Sequence, residues 1–198
     1  MTIAAIILAA GESSRMGRLK QLLPWGGKTL LAWQVGQARA AGADDVVVVL
    51  GHEASRIRDE AGDLEARIVI NEGYREGRAS SLRRGAEAVA DGVEAVLVLS
   101  VDQPRPESVL TALVDAWRDG RPLLAMPAYR GRRGHPVLAD GALLAELRLV
   151  TEEGLGLREV TERHRDETAV IEIDNPVVNL DLNTPADYAT AFRTYASR

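Results

Sequence analysis

The sequence predicts an α/β fold of three layers, with helices on both faces of a mostly parallel central sheet. Three observations carry that prediction. Unbroken apolar runs rich in β-branched residues recur along the chain, as parallel strands covered on both faces require. Stretches with helical spacing separate those runs. The 198 residues, 46% of them apolar, suffice for a full core. With no repeat, low-complexity tract or long linker in it, the chain reads as one domain over 1–198.

The first run, Ile3–Leu8 (IAAIIL), is the opening strand. Leu31, Val35 and Ala38 share one face of a first helix, which Gly42 is placed to end. Val46–Leu50 (VVVVL) and Ile68–Ile70 are the next strands. Ser80 or Ser81 can cap a helix from Leu82 to Ala90, and Val96–Leu99 (VLVL) is the fourth strand. Pro106 and Glu107 open a helix whose apolar face holds Val109, Leu110, Leu113 and Trp117, with Gly120 closing it. After Pro127 the rhythm changes. Tyr129–Gly134 (YRGRRG) reads as a basic loop, His135–Ala139 as a strand, Ala142–Leu147 as a short helix and Glu152–Glu162 as irregular or helical. Ala169–Ile173 and Val177–Leu180 read as late strands and Pro185–Tyr195 as a terminal helix.

Composition excludes several classes of function. A net charge of −5 argues against a nucleic-acid binder, whose footprint is a basic face. Basic residues concentrate at Arg15–Arg18–Lys20, Arg78–Arg83–Arg84 and Arg130–Arg132–Arg133, a distribution suited to a small anionic ligand. The absence of cysteine removes disulfides, thiolate nucleophiles and Cys-based zinc sites. His52, His135 and His164 lie too far apart for metal-ligand spacing. The amino-terminal apolar run has no basic stretch before it and is too short to span a bilayer. The expectation is a cytoplasmic protein without membrane attachment.

In an open α/β sheet, ligands bind beyond the carboxyl ends of the strands. The first such end carries LAAGESSRMGRLKQLLP, Leu8 to Pro24. Ala9, Ala10 and Gly11 leave the backbone N–H groups free to face phosphate oxygens. Arg15 offers a planar donor fork and Lys20 a point charge. It is neither of two common phosphate loops. A dinucleotide fingerprint needs G-x-G-x-x-G, and five residues separate Gly11 from Gly17. Gly27, Lys28 and Thr29 supply the tail of a P-loop, but Leu22 stands where its first glycine belongs. Asp102 directly follows the Val96–Leu99 strand, so its carboxylate lies at the same sheet edge, where Mg²⁺ can bridge it to phosphates.

LAAGESSRMGRLKQLLP closely resembles the signature of the MobA-like NTP transferases, in their molybdenum cofactor cytidylyltransferase branch. GRASSLRRG (Gly77–Gly85) is similar to the family's second nucleotide loop and SVDQPRP (Ser100–Pro106) to its metal-binding segment. GRRGHPVL (Gly131–Leu138) resembles its substrate-side loop and DLNTPADY (Asp181–Tyr188) its closing motif. The resemblance implies a Rossmann-like, GT-A-like nucleotidyltransferase fold. It also implies Mg²⁺-dependent transfer of CMP from CTP to the phosphate of molybdopterin, releasing pyrophosphate. LAAG favours CTP, where LAGG marks the guanylyl branch.

Carried onto this chain, the resemblance makes Arg15, Lys20 and Asp102 catalytic, with Asp102 and Asp181 as metal ligands. Leu8, Ala9, Ala10, Gly11, Arg15, Lys20, Asn71, Gly77, Ser80 and Ser81 would bind the nucleotide, and Arg133 and His135 the acceptor. It implies CTP or another NTP and a molybdopterin-type acceptor as partners, with transient contact to a molybdoenzyme or its chaperone. Two departures stand out. Asn183 replaces the later aspartate of D-x-D-T-P, and TEEGLGLREV stands where G-D-x-G-A-R is expected, leaving Gly154 at the aspartate position. Three alternatives stay open: a guanylyltransferase or a transferase to another phosphorylated acceptor, an oxidoreductase akin to nicotine-degradation relatives, and a non-catalytic binding protein.

Overall fold

The computed structural model describes residues 2–196. The two ends of the 1–198 domain read from the sequence, Met1 and residues 197–198, lie outside the described residues.

In chain order the elements are β1 (Ile3–Ala9), β2 (Pro24–Trp25), β3 (Lys28–Thr29), α1 (Leu30–Ala40), β4 (Asp45–Leu50), α2 (Ala54–Glu60) and β5 (Arg67–Ile70). There follow α3 (Arg78–Ala88), β6 (Ala95–Ser100), α4 (Glu107–Gly120), β7 (Leu124–Tyr129), β8 (Arg132–Arg133) and β9 (Val137–Asp140). The last are α5 (Leu144–Leu147), α6 (Leu157–Arg163), β10 (Thr168–Glu172) and α7 (Pro185–Ala191). The main sheet runs β10-β7-β9-β6-β1-β4-β5, with β8 appended to β7. Pairings β1–β4, β1–β6, β4–β5 and β10–β7 are parallel, while β9 runs antiparallel to both β6 and β7. This is the α/β architecture expected, with two reversed strands, β9 inside the sheet and the short β8 beside β7.

Strand alternation explains the three layers. Successive side chains of a strand point to opposite faces. Ile3, Ala5 and Ile7, with Val46, Val48 and Leu50, pack with α1 and α4 through Leu31, Val35, Leu110 and Trp117. Ala4, Ile6, Val47 and Val49 face the other way, onto Leu82 and Ala86 of α3 and Leu144 and Leu147 of α5. Burying each such Val or Leu contributes about 1.5–3 kcal/mol. Helix α3 comes so close that a Cβ at Gly85 would collide with Ile6 Cγ2. Trp117 is fully buried and donates from Nε1 to Asp140 Oδ2 at 3.1 Å.

Several local expectations are corrected. Val177–Leu180 is not a strand. Asn175 accepts from the Val177 N–H and opens a 3-10 turn over Pro176–Asn179, whose Val177 and Val178 are buried against Val109. Ser80 and Ser81 do not cap α3, because the helix already begins at Arg78 behind Gly77. Gly120 is the last residue of α4, and Arg121 beyond it takes the left-handed conformation. Strand β7 was not anticipated, since Pro127 within it has no N–H to donate. It is tolerated because β9 pairs only with Leu124 and Ala125, and β8 only with Ala128 and Tyr129. Among the described residues no helix is long and apolar enough to cross a membrane.

Candidate functional site

The carboxyl ends of β1 and β6 lie side by side, Leu8 in register with Ser100. Both strands release their loops toward the same edge. The first loop turns back through left-handed residues at Ser13 and Gly17, and the Lys20 N–H donates to Ser13 Oγ at 3.2 Å. That fold-back buries Lys20 and delivers its Nζ to Asp102 Oδ2 at 3.2 Å. Asp102 Oδ1 accepts from Ser100 Oγ at 2.7 Å. Burial opposes ionisation of Asp102, but Lys20, the Ser100 hydroxyl and the nearby Arg78 charge outweigh it and hold its pKa below the ordinary carboxylate value. The carboxylate is anionic and preorganised.

Three buried glutamines brace this edge. Gln21 donates to the Ala9 carbonyl at 2.6 Å, and Gln34 to the carbonyls of Ser100 and Val101 at 3.1 and 2.8 Å. Gln103 donates to Asp181 Oδ1 at 2.7 Å.

The second loop supplies a helix start. Asn71 Nδ2 donates to Ser80 Oγ and Ser81 Oγ at 2.9 and 3.0 Å, and the Ser80 hydroxyl lies 2.8 Å from the Gly77 carbonyl and 3.1 Å from that of Gly73. Asn71 and Ser80 therefore hold the loop together, and of the three only Ser81 lines the cavity beside Asp102. Gly77 has φ 120°, a conformation that favours glycine, and a Cβ there would strike the Glu152 carboxylate. Glu152 Oε2 accepts from the Ala79 N–H at 2.8 Å. A carboxylate thus does reach the first turn of α3, although the expected aspartate position is Gly154.

On the far side, the reversed strand β9 starts where the parallel strands end, Val137 opposite Val98. His135, just before it, is carried to the same edge. Burial chiefly, with Arg78 and Arg105 nearby, pushes the His135 pKa below the ordinary imidazole value against the pull of Asp181 and Asp102. Arg133 lies exposed on β8, paired with Ala128. Arg105 is 1% exposed. Its guanidinium donates to the carbonyls of His135, Leu180 and Pro104 at 2.7, 2.9 and 3.1 Å. Burial draws its pKa down to about 10, opposed by Asp181 and Asp102. The closing segment also docks through the Leu182 N–H on the Asp102 carbonyl at 2.8 Å. Arg15, exposed, donates to Asn183 Oδ1 at 3.0 Å, so the residue that departs from the family pattern tethers the first loop.

Two cavities meet at this edge. One, of about 250 Å³, is lined by Ala10, Gly11, Lys20, Ser81 and Asp102 among others. The second, of about 230 Å³, is lined by Gln103, His135, Glu152, Gly156 and Arg158 among others. Leu8, Arg78 and Ser100 belong to both. The structure brings Leu8, Ala10, Gly11, Lys20, Gly77, Ser81 and Asp102 to the first cavity and His135 to the second. Ala9 is buried in the core, and Arg133 and Arg15 line neither. Asp181 is exposed and linked to Gln103.

Ser100, Gln103, Arg105 and Glu152 are functional candidates that sequence reasoning passed over. Arg78 was legible only as a member of a basic cluster. The usable signal for Arg105 was a charged residue between two prolines directly after a buried strand.

No group of three or more His, Asp or Glu side chains among the described residues is poised to enclose a metal. The donor set at the edge, Asp102 with Asp181 behind Gln103, instead suits Mg²⁺. That ion takes one or two carboxylates and completes its shell with phosphates and water.

The chain is similar to known proteins along most of its length. Residues 5–168 match the MobA-like NTP transferase domain. The chain is 27% identical to the molybdenum cofactor cytidylyltransferase of Escherichia coli K12, covering 98% of this chain and 97% of that protein. It is 36% identical to nicotine blue oxidoreductase of Paenarthrobacter nicotinovorans over 71% of this chain and 72% of that one. Among solved structures, Rv0371c of Mycobacterium tuberculosis H37Rv superposes with a TM-score of 0.84 at 28% identity over 98% of both chains. A structure of Rv0371c in complex with manganese gives a TM-score of 0.80 at 26% identity, covering 98% of this chain and all of that one. The chain belongs to the MobA-like NTP transferase family and is a nucleotidyltransferase.

Proposed function

We propose that this protein, as one domain over 1–198, transfers CMP from CTP to the phosphate of a molybdopterin-type acceptor in the cytoplasm. The observation that carries the reading is the meeting of two cavities at Ser100 beside Asp102, one lined by the nucleotide motifs and the other by His135 and Arg158. Two ligands placed there have their phosphates on the same few side chains.

An oxygen of the acceptor phosphate forms a bond to the α-phosphorus while the bond from that phosphorus to the bridging oxygen breaks, and pyrophosphate leaves. A phosphate monoester is already anionic near neutral pH, so no protein base has to remove a proton. The work is alignment and neutralisation of charge. Lys20 neutralises the polyphosphate and the backbone N–H groups of Ala10 and Gly11 approach it, while Arg15, bound to Asn183, stands on the loop outside the cavity. Ser81 meets the base or ribose, with Asn71, Ser80 and Gly77 fixing that loop. His135 meets the acceptor phosphate from the wall of the second cavity, and the exposed Arg133 lies outside that cavity. Mg²⁺ held by Asp102 and Asp181 would supply charge neutralisation at the phosphates.

The cytidylyl choice rests on LAAG around Ala10 and on the full-length similarity to a cytidylyltransferase. The test is incubation with Mo-molybdopterin, Mg²⁺ and each of CTP, GTP, ATP and UTP. The dinucleotide cofactor and pyrophosphate should form with CTP. Product from GTP in preference moves the chain to the guanylyl branch, and nucleotide binding without product overturns the acceptor.

The 36% identity to nicotine blue oxidoreductase favours one second reading, a redox enzyme on the same scaffold. No G-x-G-x-x-G follows β1. NAD(P)H fluorescence titration separates the two, with saturable binding expected only under the redox reading.

A further inference from the structure

We infer that Arg105 is a positioning residue that clamps the closing segment and the His135 loop onto the turn carrying Asp102. The inference deepens the proposed function and rests on its metal reading.

An arginine 1% exposed is an expensive residue to bury, because each charge taken out of water costs several kcal/mol unless its donors are all used. No carboxylate forms an ion pair with Arg105 among the described residues. Its hydrogen-bond partners are three carbonyl oxygens, and they come from three segments: Pro104 of its own turn, His135 before β9, and Leu180 before Asp181. A planar guanidinium can serve three fixed acceptors at once, whereas an ammonium is a single point.

The contacts around it form a ladder between two stretches of chain. The Asp102 carbonyl accepts from the Leu182 N–H, Gln103 grips the Asp181 carboxylate, and Arg105 holds the Leu180 carbonyl. Residues 102, 103 and 105 therefore fix residues 182, 181 and 180 in turn. Only Arg105 also reaches the His135 loop. Among the described residues, it is the one side chain of this turn that hydrogen-bonds to both the closing segment and the His135 loop.

This arrangement predicts different consequences for two neighbours. Loss of Gln103 frees Asp181 alone, while loss of Arg105 frees Asp181 and His135 together. The experiment compares wild type, Arg105→Lys, Arg105→Met and Gln103→Leu in two measurements that need no acceptor. Electron paramagnetic resonance reports Mn²⁺ binding to the CTP-loaded protein, and NMR reports the His135 ring, one of only three histidines.

Partners behind metal ligands are worth about 10–100-fold in metal affinity. All three variants should therefore weaken Mn²⁺ by about that factor. Both Arg105 variants should shift the His135 ring resonance toward that of a solvent-exposed histidine, and Gln103→Leu should leave it in place. A folded Arg105→Lys with wild-type Mn²⁺ affinity and an unmoved His135 resonance overturns the inference. So does loss of folding in both Arg105 variants, which would make Arg105 a fold residue only. If the wild type itself binds no Mn²⁺ with CTP, the metal reading fails, and the His135 measurement alone then decides the clamp.

Discussion

At the scale of single residues, the proposed chemistry turns on the pair Lys20–Asp102. Each holds the other at 3.2 Å, so replacing either exposes the partner to an uncompensated burial. Asp102→Asn should lower turnover at least about a hundredfold, since several kcal/mol of charge stabilisation are removed and each 1.36 kcal/mol is tenfold. Steady-state pyrophosphate release with thermal melting as a control checks this; near-wild-type turnover would rule out the metal role of Asp102. Ala10→Gly should relax the preference for CTP over GTP without abolishing transfer, as competition kinetics would report. The motif residues at the first strand end were legible because sheet topology sends every such loop to one edge. Arg105 and Gln103 were not, because their importance lies in partners up to 78 residues away, a distance no local pattern encodes.

Among the elements, the clasp of α6 on its neighbours is held by His164. Its ring nitrogens contact Glu167 Oε2 at 3.1 Å and Glu146 Oε1 at 2.9 Å. The Glu167 contact first, then Glu146, raises the His164 pKa above its ordinary value of 6.5 despite some burial. A raised pKa means the protonated ring favours the folded state. That stabilisation is complete below the unfolded value and fades as pH climbs through the folded one. His164→Gln should thus lower the urea midpoint at pH 5.5 and change it little at pH 9. An equal loss at both would remove the charge argument. Helix α3 offers a second test. Gly85→Ala gains about 1 kcal/mol of helix propensity but places a methyl on Ile6 Cγ2 and Val49 Cγ2. Overpacking costs about 1–3 kcal/mol, so the variant should be destabilised, and Ile6→Ala in the same chain should recover part of the loss in a double-mutant cycle. Elements that follow hydrophobic period and strong punctuation were readable. Val177–Leu180 misled because its apolar residues pack on Val109 instead of entering the sheet, and β7 escaped because proline masks a strand.

For the molecule as a whole, stability and the proposed metal binding are separable. Two apolar clusters, one on each face of the sheet, hold the fold, and no enclosed set of acidic or imidazole ligands does so among the described residues. Chelation with EDTA should therefore abolish turnover while leaving the melting temperature of the nucleotide-free protein unchanged. A large drop in melting temperature would reveal a structural ion. The layered α/β plan was legible because parallel, doubly covered strands leave continuous apolar runs in the sequence. The reversal of β9 was not, since direction leaves no mark on a run of four residues.

That reversal has an evolutionary consequence. The half of the sheet built from β1, β4 and β5 contributes the ends of its strands to the edge, whereas β9 contributes its beginning. The exposed tip of the hairpin between β7 and β9, residues 130–133, can therefore vary without disturbing any parallel crossover, while Gly134, packed on the Val178 carbonyl, and His135, held by Arg105, anchor its base. It is an interchangeable part. If the proposed acceptor site is right, a lineage could retune what it accepts by rewriting residues 130–133 alone, and relatives with different chemistries on one scaffold are the expected result.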